Sequence, residues 1–323
     1  MTTPTTLIAV LDARTINLSE DSWNPLRQLG ELRIFPATSP EQLLSHANGA
    51  QIIITNKVRI DDSAMRQLPG LRCIVELATG YDNIDIAAAR ANGITVCNAP
   101  NYSSQAVAQH VFALLLHICS ATADYVNDTA RGVWAESNQF CCIDHHTTEL
   151  SGKTIGILGL GNIGRQVANI ANAFGMKVIA QTSRPQSTLP PYIHAVDKET
   201  LLVESDVLTL HAPLTEQTRD YIDHSALARL KPGAIIINTA RGRLVDENAL
   251  AQALREKRLA AYAADVLSTE PPSPDNPLLH SPNTYLTPHI AWATHEARLR
   301  LLDITIGNVK AFLNNQPTNV VNK

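Results

Sequence analysis

The sequence predicts an α/β protein built on two doubly wound parallel sheets, and three observations carry that expectation. Short apolar, β-branched runs alternate with amphipathic stretches of helix length along the whole chain, the pattern of parallel strands joined by helical crossovers. At 323 residues the chain is about twice the length of a common domain of roughly 100–200 residues. The runs also fall into two series, separated by a long apolar helical stretch and a segment without clear period.

In the first series strands are expected at residues 7–11, 32–35, 51–55 and 72–77, with helical patterns at 40–46 and 84–91 between them. An apolar helix follows over 105–125. Residues 131–150, rich in Trp, Phe, Cys and His, show no periodicity and are expected as a long excursion. The second series places strands at 154–158, 177–180, 207–210, 234–238 and 261–266, with a helix over 165–174. Pro271, Pro272, Pro274, Pro277 and Pro282 close that series, and a last helix runs from about residue 294 to 314.

Composition removes several classes of function. The 26 basic and 30 acidic residues leave a net charge of −4, so the electrostatic footprint of a nucleic-acid or anionic-membrane binder is missing and neither partner is expected. The longest apolar stretch, 111–119, is interrupted by His117 and falls short of the roughly 18 residues that a membrane span needs. Ahead of Leu7 there is no basic flank and no long apolar region of a secretory signal, which makes a cytoplasmic location the expectation. Cys73, Cys97, Cys119, Cys141 and Cys142 are odd in number and lack C-x-x-C spacing, so reduced thiols are expected instead of a disulfide framework.

The clearest chemical signal is Gly159-Leu160-Gly161-Asn162-Ile163-Gly164, between the strand at 154–158 and the helix at 165–174. The first glycine permits a tight turn, the second lets backbone approach a pyrophosphate, and the third lets helix and strand pack closely. The helix N-terminus adds amide donors and partial positive charge. In that context the motif predicts dinucleotide binding. An NAD site usually carries an acid roughly 20 residues further on, to hold the ribose hydroxyls. Between Arg165 and Val196 this chain has none, and the strand at 177–180 leads into Gln181, Thr182, Ser183 and Arg184. Two hydroxyls and a guanidinium suit a ribose 2′-phosphate, so NADP(H) is the preferred cofactor, with NAD(H) still possible. The competing reading of the same residues is a solvated loop with an ordinary surface arginine.

Three further groups lie where an α/β sheet presents ligand contacts, after its strands: Asn238 to Gly242, Asp265 to Pro272, and Thr287-Pro288-His289. Taken singly, each has an ordinary structural explanation. Joined to the glycine loop, they make the chain similar to the D-isomer-specific 2-hydroxyacid dehydrogenase family, most of all to its glycerate dehydrogenases, also called hydroxypyruvate reductases. The residues that carry the similarity are Ala78-Thr79-Gly80-Tyr81-Asp82-Asn83-Ile84-Asp85, Val107-Ala108-Gln109-His110, and Gly132, Trp134, Phe140, Cys141 and Asp144 in the excursion. Glu149 to Lys153 before the glycine loop and Pro288-His289-Ile290-Ala291-Trp292 near the end add to it.

The resemblance implies a Rossmann-type cofactor domain at residues 99–289 and a flavodoxin-like substrate domain at 1–98 and 290–323, with hydride passing to a small 2-oxo acid, hydroxypyruvate or glyoxylate. It puts Arg241, Glu270 and His289 in the catalytic positions, and elementary chemistry agrees. His289 would supply the proton to the ketone oxygen, Glu270 would hold its imidazole in one tautomer, and Arg241 would fork onto the substrate carboxylate. The backbone of Ala78, Thr79 and Gly80 would donate to the same carboxylate. Cofactor contacts implied are Gly159, Gly161, Asn162, Ile163, Gly164, Thr182, Ser183, Arg184, His211, Ala212, Pro213, Thr239, Ala240, Arg241, Asp265, His289, Ala291 and Trp292. Asp265 would face the nicotinamide carboxamide.

Residues 131–150 would pack against a second copy, giving a homodimer. Cys141, Cys142, His145 and His146 lie within six positions, but adjacent pairs on a short segment do not easily direct four side chains to one tetrahedral centre, and no metal is expected. Phosphoglycerate or D-lactate dehydrogenase, formate oxidation, and a dinucleotide-sensing corepressor on the same scaffold remain open alternatives.

Overall fold

The computed structural model describes residues 6–323. The chain divides into two compact units, Met1–Ser103 with Ala293–Lys323, and Ser104–Trp292. Its divisions fall at Ser103/Ser104 and Trp292/Ala293, later than the 98/99 and 289/290 read from the sequence.

In the first unit β1 (Leu7–Val10), β2 (Glu31–Ile34), β3 (Ile52–Thr55), β4 (Cys73–Glu76) and β5 (Thr95–Cys97) form one sheet in the order β2-β1-β3-β4-β5. All its pairings are parallel. That is the flavodoxin-like order, with its switch point between β1 and β3. The strands β1, β3 and β4 are buried throughout, as continuous apolar runs covered on both faces must be. Local chemistry ends the connections. Asp61 and Asp85 cap the helices Asp62–Arg66 and Ile86–Ala91 by accepting from Ala64 and Ala88 N–H, each cap contributing about 0.5–2 kcal/mol.

The second unit holds β6 (Thr154–Leu158), β7 (Lys177–Gln181), β8 (Ile193–Ala195), β9 (Val207–Leu210), β10 (Ala234–Asn238), β11 (Leu259–Ala264) and β12 (Thr284–Leu286). Their order is β12-β11-β10-β9-β6-β7-β8, again all parallel, so the first six strands reproduce the dinucleotide-binding order and a seventh extends it. Alternate side chains feed two cores. Leu158, Leu208, Leu210, Ile236 and Tyr262 point to one face, while Ile155, Ile157, Val207, Ile235, Ile237 and Ala263 point to the other. Each fully buried Leu or Ile is worth about 1.5–3 kcal/mol. The chain runs outward from β6 to β7 and β8, then returns to β9 on the other side of β6. The carboxyl ends of β6 and β9 are therefore the switch point, where this fold places a ligand crevice.

Several expected elements differ from those observed. The helix expected over 105–125 is two, Ser104–Ser120 and Thr122–Ala130, broken where Ala121 takes a left-handed backbone with φ +46°. The pattern at 40–46 yields helix only at Leu43–His46. The strand expected at 261–266 is shifted to Leu259–Ala264, beside an irregularity in the register of β10. Three strands of three residues each, β5, β8 and β12, were not anticipated. Among the described residues no single helix is long and apolar enough to cross a membrane.

Glu76, at the end of β4, is fully buried. Its Oε2 accepts from Asn83 Nδ2 at 3.1 Å, while Oε1 has no partner among the described residues. Desolvation pushes its carboxyl well above the ordinary carboxylate range, so folding favours the protonated form. In the unfolded chain it ionises above about 4.5. Its contribution to stability is thus full below that pH and is lost as pH rises toward the folded value. Glu76→Gln should melt higher than the wild type at about pH 8, with the gap closing at about pH 4. A difference in melting temperature that does not depend on pH would show the carboxyl to be ionised in the fold.

Candidate active site

The glycine loop occupies the switch point. Gly159 has φ +90°, and a Cβ there would lie 2.8–2.9 Å from the Ala212 backbone that follows β9, so only glycine fits. A Cβ at Gly164 would meet the Gly159 carbonyl oxygen at 2.2 Å, which keeps the helix Asn162–Ala173 close to β6. Gly161 has nothing within 4 Å of its Cβ position and caps that helix with extended backbone. Two closed glycines flanking one open glycine at a helix N-terminus make a cradle that fits a pyrophosphate.

Beside the loop, His211 has its Nδ1 buried without a partner, and its Nε2 bonds Thr209 Oγ1 at 2.9 Å. Burial pushes this imidazole down to about 3, so it is neutral at physiological pH. Thr239 Oγ1, after β10, is likewise buried and unpartnered among the described residues. Both orphaned atoms belong to residues expected to contact cofactor, and a bound group would relieve their cost.

At the end of β7, Gln181 is engaged on both of its oxygens. Its backbone carbonyl accepts from Gly159 N–H at 3.1 Å, and its Oε1 accepts from the Tyr221 hydroxyl. The Lys198 ammonium stands 4.0 Å from the centre of the Tyr221 ring. Thr182 is half-buried, Ser183 and Arg184 are exposed, and Arg184 N–H donates to Thr182 Oγ1. Neither Lys198 nor Tyr221 was anticipated. Lys198 belongs to the segment after β8, and no motif in the sequence ties it to β7.

The catalytic candidates come from three consecutive strand ends. Asn238, fully buried at the end of β10, shapes the first loop by donating Nδ2 to the Arg241 carbonyl at 2.9 Å and accepting from Ala240 N–H at 3.0 Å. The Arg241 guanidinium donates one bond to the Ala240 carbonyl. Gly242 then presses against the next loop, since a Cβ there would lie 1.9–2.3 Å from the backbone of Leu267 and Ser268. That contact fixes the Arg241 loop on the loop that carries Glu270. Glu247 holds the same loop from below, accepting from Ser268 N–H, Ser268 Oγ and Asn276 Nδ2 at 2.7–2.8 Å.

Glu270 Oε1 accepts from Leu267 N–H at 3.0 Å, and its Oε2 lies 2.5 Å from His289 Nδ1. With Nδ1 donating to the carboxylate, Nε2 is the nitrogen left to exchange a proton. His289 itself has φ +56°, a left-handed backbone that costs a non-glycine residue about 1–3 kcal/mol and persists only where its surroundings over-determine it. The cause is Asp265. This buried carboxylate, 2% exposed, accepts from Thr287 Oγ1, Ile290 N–H and Ala291 N–H at 2.5–2.8 Å, and its carbonyl accepts from His289 N–H at 3.0 Å. Asp265 is expected to face the nicotinamide carboxamide; its carboxylate also accepts from three donors of the loop that carries His289, with Oδ2 taking one of them.

In the first unit, the loop after β4 spends its carbonyls internally. Leu77, Ala78 and Thr79 carbonyls accept from Asn56 Nδ2, Ala99 N–H and Asn98 Nδ2 at 2.7–3.0 Å. The N–H groups of Ala78, Thr79 and Gly80 have no acceptor among the described residues and are available to an anion. The cysteines and histidines of the excursion do not converge. Cys142 contacts Ser137, His145 bonds Asp128, and no group of three or more metal-ligating side chains comes together among the described residues.

Comparison with known proteins agrees with this arrangement. Residues 112–291 match the family described as D-isomer specific 2-hydroxyacid dehydrogenase, NAD binding domain. The chain is 44% identical over 285 residues to a glycerate dehydrogenase of Methylorubrum extorquens, covering 88% of this chain and 89% of that one. It is 39% identical over 320 residues to a hydroxypyruvate reductase of Blautia hydrogenotrophica, covering 98% and 99%. Among solved structures, the NADPH-dependent glyoxylate/hydroxypyruvate reductase of Sinorhizobium meliloti, in complex with NADP and malonate, superimposes with a TM-score of 0.84 at 26% identity, over 98% of this chain and 97% of that one. The chain belongs to the D-isomer-specific 2-hydroxyacid dehydrogenase family.

Proposed function

We propose that the protein reduces small 2-oxo acids, hydroxypyruvate and glyoxylate, to the D-2-hydroxy acids with NADPH as the preferred reductant. The observation that carries this is the His289–Glu270 pair, Nδ1 to Oε2 at 2.5 Å, at the carboxyl ends of the strands of a dinucleotide-binding sheet. When bound, the reduced dinucleotide supplies the hydride. Gly159, Gly161 and Gly164, with the amides of the following helix, hold its pyrophosphate. Arg241 receives the substrate carboxylate through its fork and polarises the adjacent carbonyl. His289 delivers a proton from Nε2 to the ketone oxygen, and Glu270 keeps the imidazole oriented and balances the charge of its protonated form. In the first unit, the amides of Ala78, Thr79 and Gly80 have no acceptor among the described residues and suit an anionic group.

Substrate size follows from residues 77–85, which contain no arginine or lysine to meet a second anion. Hydroxypyruvate and glyoxylate are expected to give a much higher kcat/KM than 3-phosphohydroxypyruvate, and the reverse order would favour a phosphoglycerate dehydrogenase.

The cofactor preference is supported by the neutral Gln181, the hydroxyls of Thr182 and Ser183, the exposed Arg184 and the nearby Lys198. Residues 181–184 themselves carry no carboxylate to repel a 2′-phosphate. One bond from Arg184 to that charged group is worth about 1.5–3 kcal/mol, or roughly ten- to a hundredfold. Arg184→Ala should therefore raise KM for NADPH by about that factor and leave KM for NADH nearly unchanged. Wild-type use of NADH with equal or better kcat/KM would mean that Arg184 is an ordinary surface residue.

The same reading includes a homodimer formed through residues 131–150 and a cytoplasmic setting, in keeping with five free thiols. Phe140 is 97% exposed, Ile143 84% and Trp134 52%, an apolar display suited to burial against a second copy. Sedimentation should give a dimer at micromolar concentration, and an active monomer would refute the interface.

A further inference from the structure

We infer that His110, in the helix Ser104–Ser120, is a positioning residue for His289 and acts through a relay of hydrogen bonds across Thr287 and Asp265. This rests on the proposed role of His289 as proton donor. His110 Nε2 lies 2.9 Å from Thr287 Oγ1, and the Thr287 hydroxyl donates to Asp265 Oδ1 at 2.5 Å. A hydroxyl has one proton, and the carboxylate takes it, so the His110–Thr287 bond requires Nε2 to carry the hydrogen. His110 is thereby fixed as the Nε2–H form, the first donor in a chain that ends on an acceptor. Nε2 also stands 3.8 Å from Asp265 Oδ1, so the imidazole edge faces the carboxylate as well as the hydroxyl.

Asp265 is where this chain reaches the chemistry. The oxygen that receives Thr287 also receives Ile290 N–H at 2.8 Å, and the other oxygen receives Ala291 N–H at 2.7 Å. His289 N–H donates to the carbonyls of both Asp265 and Thr287 at 3.0 Å. The five residues 287–291 are therefore tied at both ends to one buried carboxylate, and the left-handed turn at His289 lies between the ties. Thr287 is the pivot. With its hydroxyl oriented by His110, Oδ1 of Asp265 has two fixed donors and the loop one conformation. Without His110 the hydroxyl is free to rotate, the carboxylate to swing, and the imidazole of His289 to shift. Misplacement of a reacting group by about 1 Å costs up to a hundredfold in rate. The glycine loop, which the proposed function gives the pyrophosphate, follows β6 and is untouched by the relay, so the larger part of cofactor binding should be spared.

The test compares His110→Ala with His110→Gln, whose Nε2–H can replace the lost donor, in the full-length enzyme. His110→Ala is expected to lower kcat about ten- to a hundredfold, with the dissociation constant for NADPH, measured by fluorescence titration, within about twofold of wild type. His110→Gln should restore most of the loss. Amide exchange at Ile290 and Ala291 should accelerate in the alanine variant alone. Should His110→Ala fold poorly, Thr287→Val against Thr287→Ser makes the same comparison one bond further along. In the Thr287→Val background, His110→Ala should add no further loss, because both break one relay. An unchanged kcat in His110→Ala, parallel losses of kcat and cofactor affinity, failure of glutamine to rescue, or multiplying effects in the double variant would each overturn the role. His289→Ala separates the two claims. If it is inactive while His110→Ala is normal, only the relay fails; if it retains turnover, the proton-donor assignment fails and takes the relay with it.

Discussion

His289→Ala is expected to lose turnover by roughly 10² to 10⁴, the size of a general-acid contribution, while NADPH still binds. The reduced ketone leaves an alkoxide that must be protonated as the hydride arrives, and water is a poor donor at neutral pH. Nε2 is the nitrogen placed for this because Nδ1 is committed to Glu270 at 2.5 Å. Binding should survive, since the proposed pyrophosphate contacts, Gly159, Gly161 and Gly164, lie at the end of β6, whereas His289 follows β12. The check is kcat at saturating hydroxypyruvate beside the NADPH dissociation constant. Turnover near wild type would move the proton donor to another group, and a large loss of binding would show that His289 chiefly holds cofactor.

Arg241→Ala should lower kcat/KM for hydroxypyruvate by a hundredfold or more, because two hydrogen bonds to a charged carboxylate are worth about 1.5–3 kcal/mol each. Arg241→Lys should recover only part of this, keeping the charge and losing the fork. The loss is expected mainly in KM, with a smaller fall in kcat from weaker polarisation of the carbonyl. The loop itself should stay in place in both variants. Asn238 and the close contact of Gly242 with Leu267 and Ser268 shape it without the guanidinium. Equal kcat/KM for wild type and Arg241→Ala, measured with several 2-oxo acids, would remove Arg241 from the substrate site.

Both variants bear on residues that the sequence already singled out, and the reason is physical. Arg241, Glu270 and His289 follow β10, β11 and β12, where runs such as the AIIIN of β10 read plainly as strands. A parallel sheet must then bring their carboxyl ends together. The glycine loop was legible because its steric demands are absolute, as the clashes at Gly159 and Gly164 make plain. Strands β5, β8 and β12 were not, since three residues carry too little period to stand out from a loop, and it is the neighbouring strand that makes them. The break at Ala121 was hidden for the opposite reason. Its residue type favours helix, yet its backbone takes φ +46°.

Within the site, the sequence was silent where a role depends on contacts between distant segments. That the Asp265 oxygens hold the loop around His289 shows only in the fold. Tyr221 meets Gln181, and Lys198 meets the Tyr221 ring, only after folding. His110 is 177 residues from its partner Thr287. No local pattern encodes such a pairing.

The most direct test of the account is product analysis. Purified protein is incubated with hydroxypyruvate and NADPH, and the glycerate formed is resolved on a chiral column beside the loss of NADPH absorbance. D-glycerate is expected in amounts equal to the NADPH consumed, with no product from His289→Ala on the same timescale. L-glycerate, or no glycerate with either NADPH or NADH, would contradict it.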